Sequence, residues 1–120
     1  MIMEDFVSFE IAKKLKEKGF DYPCVGHYVN NQLYVAHYHN AFHSDKDESI
    51  DVPIISQVLK WLREEKNIIL ILNPYFNENC GVEWDCDVWI DGKYIHCCED
   101  YKTYEQASIA GIEYVLDNII

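Results

Sequence analysis

At 120 residues the chain is long enough to bury a core as one domain without disulfides or a metal. A composition of 49% hydrophobic and 26% charged residues excludes a disordered chain. The net charge of -11, from 21 acids and 10 bases, repels phosphate backbones and makes nucleic acid an unlikely partner.

The first nine residues, MIMEDFVSF, do not form a secretory signal: there is no basic start, and Glu4 and Asp5 break the apolar run. A first helix is expected over 8–18, with Val7, Ile11 and Leu15 on one face and KKLKEK on the wet side. Gly19 is placed for the left-handed residue after the last turn, and Phe20 for the contact back to Leu15. Two extended stretches follow, 22–29 and 33–39, joined at Asn30-Asn31. Residues 40–52 read as a polar loop, and Pro53 opens a second helix to about 66 with Ile55, Val58, Leu59 and Leu62 on one face.

The run IILIL at 68–72 is apolar on both alternations and reads as a central strand covered on both sides. It is far too short to cross a bilayer, so no membrane association is expected. In 82–90 a period of two is clear. Val82, Trp84, Cys86, Val88 and Ile90 are expected to face helices, and Glu83, Asp85, Asp87 and Trp89 to face away. Asp91-Gly92 signals a tight hairpin into 93–98. A regular ladder then sets Ile90 opposite Lys93, Val88 opposite Ile95, Cys86 opposite Cys97 and Asp87 opposite His96. The last helix opens with TYEQ, a capping box of Thr103 and Gln106, and buries Ile112, Val115, Leu116 and Ile119.

The fold expected is a single α+β domain over 1–120, in the order α-β-β-α-β-β-β-α, with an antiparallel sheet of about five strands packed with three helices. Five cysteines (Cys24, Cys80, Cys86, Cys97, Cys98) without a CxxC pair read as reduced thiols of a cytoplasmic protein. Cys86 and Cys97 are the expected buried pair, with Cys98 exposed.

Three of the five histidines lie in LYVAHYHNAFH at 33–43. On a strand His37 and His39 share a face. A two-residue turn at Asn30-Asn31 would bring Cys24 opposite His37, a Cys-His-His trio chemically suited to zinc. A three-residue turn through Gln32 would replace Cys24 with His27. No spacing matches a known zinc pattern, so the expectation is no cofactor, with zinc as the alternative.

Other constellations carry less. His96 and Cys97 are consecutive on a strand and point to opposite faces, which argues against a nucleophile and its base. DKDESID at 45–51 lacks the glycine and the last glutamate of an EF-hand loop. The order α-β-β-β-α over 54–120 looks like a double-stranded RNA-binding domain, yet its last helix begins TYEQAS with no base to meet phosphate. The clearest surface is apolar: Ile69, Ile71, Trp89 and Tyr94 are expected on the sheet face away from the helices. Such a face calls for cover by the chain itself, a second copy or a protein partner.

At FVSFEIAKKLKEKGFD, PIISQVLKWLREEKNI and TYEQASIAGIEYVLDNII the chain resembles a family of short uncharacterised proteins of gut Bacteroidales, encoded on chromosomes and on phages or other mobile elements. Members often carry threonine where this chain has Ile54. The resemblance implies a bacterial cytoplasmic protein, and it supplies no activity and no site residue. The leading expectation is a non-enzymatic interaction or accessory protein. The alternatives are a small metal-binding or hydrolytic protein using His37, His39 and Cys24 or His27, and an acidic phage-type inhibitor or nucleic-acid mimic.

Overall fold

The computed structural model describes residues 6–30, 32–35 and 49–120. These residues form an α+β fold of three helices and two three-stranded antiparallel sheets, in the order α-β-β-β-α-β-β-β-α. Two corrections follow. The single sheet of about five strands is two sheets, and a strand lies in the stretch expected to be loop. The chain divides into two compact units, Met1–Gln57 and Val58–Ile120.

The first unit holds α1 (Phe9–Glu17), β1 (Gly26–Val29), β2 (Gln32–Val35) and β3 (Ser49–Val52), with strand order β2-β1-β3. Ser8 caps α1, its Oγ accepting from Ile11 N at 3.2 Å. The helix ends as its glycine requires. Gly19 sits at φ 93°, and the Phe20 amide returns to Leu15 O at 3.0 Å. Ile11, Ala12 and Leu15 are buried on its inner face. β3 escaped notice because it is so short: Ile50 and Val52 go inward and Asp51 outward, too few residues to show a period. It pairs with β1, His27 opposite Asp51 and Tyr28 opposite Ile50. Gly26 has no room for a side chain, since a β-carbon there would lie 2.5 Å from the Phe6 ring.

At the start of α2 (Ile55–Glu65) Ile54 has no side-chain oxygen to cap with. Gln57 does the work in reverse, its Oε1 accepting from Ile54 N at 3.1 Å.

The second unit, beginning inside α2, holds β4 (Ile68–Asn77), β5 (Gly81–Ile90), β6 (Lys93–Tyr101) and α3 (Tyr104–Asn118), with strand order β4-β5-β6. β4 is an edge strand and runs five residues past IILIL, which corrects the central strand expected at 68–72. Pro74 disguised that second half. A proline is tolerated here because, among the described residues, the strand has no neighbour on its outer side.

One face of this sheet packs on α3. Cys86, Cys98 and Ala107 form its centre, with Leu70, Leu72, Trp84, Tyr101, Ala110 and Tyr114 around them. Thr103 caps α3 by accepting from Gln106 N at 3.0 Å, while the Gln106 side chain accepts from Lys102 N at 3.2 Å instead of returning to Thr103. The expected helix-facing row holds at Cys86 and Val88, both fully buried, and fails at Val82, which is 53% exposed. Length explains this. Ten strand residues span about 34 Å and fifteen helical ones about 22 Å, so α3 cannot reach the far end of β5.

Asp91 and Gly92 turn the hairpin at φ 50° and 78°, and Ile90 pairs with Lys93 as expected. Beyond that the ladder slips. Trp89 pairs with Tyr94 but Val88 with His96, so Ile95 is an extra residue in a bulge. Asp87 therefore meets Cys97, and Cys86 meets Cys98. The expected partners Val88–Ile95, Cys86–Cys97 and Asp87–His96 are all displaced by one residue. Cys98 is consequently the buried thiol and Cys97 the half-buried one, reversing the expectation.

Candidate functional site

In the first unit Val29 pairs with Gln32, which is the two-residue connection. The three-residue alternative, which would have moved His27 onto the alternation of Leu33 and Val35, is not adopted: His27 lies opposite Tyr34. His37 and His39 lie outside the described residues, so the trio with Cys24 has no geometry here. Cys24 itself is buried, and its Sγ donates to Tyr22 O at 3.2 Å. Burial, and then the charge of Asp51, push that thiol up to about 12, so the sulfur is a neutral core group. His27 is fully buried, with its Nδ1 2.8 Å from Asp51 Oδ1. The pair depends on β3, which sets Asp51 opposite His27 in a stretch whose sequence reads as loop. Among the described residues no group of three or more histidine, cysteine, aspartate or glutamate side chains is arranged to hold a metal.

The second unit presents the larger surface. On the sheet face away from α3, cross-strand partners share a side, so Ile69 meets Trp89 and Trp89 meets Tyr94. Ile71, opposite Asp87, completes a contiguous set of the four residues expected there. Ile69 is 42% exposed, Ile71 41% and Tyr94 54%. Trp89 and Tyr94 meet edge to face, their ring centroids 5.7 Å apart. The Trp89 indole N–H is shielded from solvent and has no hydrogen-bond acceptor among the described residues.

Below this apolar end the same face turns acidic. Half-buried Asp85 and Asp87 of β5 stand beside exposed Asp100 of β6, with Glu83 buried next to them. Three of their hydrogen bonds come from neutral donors on β4: Asn73 Nδ2 to Asp87 at 2.8 Å, Asn77 Nδ2 to Glu83 at 2.9 Å, and the Tyr75 hydroxyl to Asp100. The Tyr75 proton is held well above the usual phenol range, chiefly by that bond to Asp100. Asp85 accepts from the Asp100 amide at 3.1 Å, and Asp100 itself sits at φ 69° in a second irregularity of the ladder. Among the described residues no lysine or arginine forms an ion pair with this row. The donors sit at alternate positions of NPYFN, on the face that carries the alternate acids of VEWDCD, with Asn73 opposite Asp85 and Tyr75 opposite Glu83. That complementarity is visible in the sequence once β4 is known to continue past Leu72.

The cysteine-histidine neighbours are separated. His96 stacks on Tyr114 of α3, centroids 4.0 Å apart and planes within 5°, while Cys97 faces Asp87 on the other side. Burial first, then the hydrogen bond to Asp87, push the Cys97 thiol up to about 12, the opposite of what a nucleophile requires.

No protein-family model, no curated protein and no solved structure matches the chain. Among the described residues no helix is long and apolar enough to cross a membrane.

Proposed function

We propose that this protein is a non-enzymatic binding or accessory protein that takes a protein partner on the open face of its second sheet. One observation carries the reading: Ile69, Ile71 and Tyr94 stay between 41% and 54% exposed around Trp89, at the end of a face whose other end is a row of carboxylates. An aromatic and aliphatic centre is the kind of surface that anchors binding energy. The acids beside it, on a chain of net charge -11, favour a partner with a basic rim. The resemblance to short Bacteroidales proteins supports a role in a bacterial cytoplasm.

The test is affinity capture from a Bacteroidales lysate with wild type and with Tyr94→Glu as bait. A basic protein retained by wild type, lost with the variant, and weakened at least about tenfold by raising salt is the expected result. Equal capture by both baits, or capture indifferent to salt, would overturn the assignment.

A further inference from the structure

We propose that the outer edge of β4 pairs with the same edge of a second copy of this chain. The hydrogen-bond phase of the strand identifies which groups are free. The Asp91 amide donates to Asn67 O at 3.2 Å, so Asn67 and Asp91 are a bonded pair. Bonded pairs alternate along an antiparallel ladder, which assigns Ile69, Ile71 and Asn73 to β5. Ile68, Leu70 and Leu72 then turn their N–H and C=O groups outward. Among the described residues no backbone or side-chain group bonds to the Leu70 or Leu72 amide. Pro74, next in that outward series, has no N–H to offer.

The two edges of this sheet are built differently. β6 has two ladder irregularities and carries Lys93, Glu99 and Asp100, the features by which proteins blunt an edge. β4 has no charged residue from Ile68 to Asn77, and its first five residues are all aliphatic. Along it runs a groove of about 390 Å³ lined by Leu59, Ile69, Leu70, Ile71, Leu72 and Tyr104, with Arg63 as its one charged residue.

Self-complementarity selects the occupant. The 68–72 segment is aliphatic and uncharged, so the same edge of a second copy offers matching donors and acceptors without bringing together the carboxylates of two copies each carrying -11. Symmetry sets the register. A two-fold axis at Leu70 pairs Leu70 with Leu70 of the partner subunit and Ile68 with Leu72 of the partner subunit. That arrangement uses every outward amide of the segment, about six bonds, and leaves Pro74 beyond the join. Centring on Leu72 would spend one pairing on Pro74. The result is a continuous six-stranded sheet across the dimer.

The inference is independent of the open-face reading, and its test keeps the two apart. Sedimentation of the full chain should show twice the monomer mass at tens of micromolar and dissociation on dilution. Hydrogen exchange should show the Leu70 and Leu72 amides gaining at least about tenfold protection on concentration, while those of Ile69 and Ile71 stay protected throughout. Leu72→Pro removes an outward donor and leaves the bonds to β5, so it should yield a folded monomer. Tyr94→Glu, which attacks the open face, should leave the dimer intact. A monomer at every concentration, or a dimer in which Leu70 and Leu72 exchange freely, would overturn the pairing even if Leu72→Pro failed to fold.

Discussion

A β-carbon on Gly111 of α3 would collide with Cys86 Sγ in the middle of β5 and stand 3.2 Å from Leu70 Cδ1. The helix backbone there rests directly on the Cys86 side chain, with none of its own between them. The contact fixes the height of α3 above the strands and, through Leu70 and Leu72, the floor beside the β4 edge.

Gly111→Ala should therefore destabilise the protein. In an exposed helix interior the same change would gain roughly 0.5–1 kcal/mol, because glycine carries an entropic cost. Here the collision should outweigh that gain and leave a net loss of about 1–3 kcal/mol. Urea unfolding measures it. Adding Cys86→Ala should recover part of the loss, since the two sites touch. A stabilised Gly111→Ala would show that the helix stands farther off.

Thiol mapping reads the bulge at Ile95 directly. In native protein at pH 8, a disulfide reagent should modify exposed Cys80 first and half-buried Cys97 more slowly. Cys24, Cys86 and Cys98 should react only as the chain unfolds. Peptide mass mapping distinguishes the two neighbours. A reactive Cys98 beside an inert Cys97 would restore the regular ladder and remove the bulge.

Stability should fall in mild alkali for a reason tied to the same cores. Burial pushes the Cys24 and Cys86 thiols up to about 12, above their value in an unfolded chain. The folded state then keeps protons that the unfolded state releases, so the contribution is whole below about pH 9 and declines from there towards pH 12. The urea midpoint of a Cys24→Ala/Cys86→Ala protein should depend less steeply on pH between 8.5 and 10.5 than that of wild type. Parallel slopes would mean that these thiols are no more buried in the fold than out of it.

The reach of α3 predicts opposite outcomes at two valines of one strand. Val88→Ala, at a fully buried position, should cost about 1–3 kcal/mol. Val82→Ser, beyond the end of the helix, should change stability by less than about 0.5 kcal/mol. Thermal melts of the pair suffice, and similar losses at both sites would mean that Val82 is covered after all.

Much of this molecule follows from local rules that the sequence states on its own. Ser8 and Thr103 cap helices because a hydroxyl at the first turn can take an orphan amide. Gly19 ends α1, and Asp91-Gly92 turns the chain, because few other residues accept positive φ cheaply. The gathering of Ile69, Ile71, Trp89 and Tyr94 on one face also follows from alternation and a single hairpin. What alternation cannot see is an inserted residue or an unpaired edge. The extra residue Ile95 shifts the ladder by one, exchanges Cys97 for Cys98 and sends His96 to Tyr114, because side-chain direction reverses at every step of a strand. Nor does a run such as IILIL record how many neighbours its strand will have. Only the tertiary pairing made β4 an edge, hid a third strand at Ser49–Val52 and divided one expected sheet into two, since each depends on partners remote in the chain.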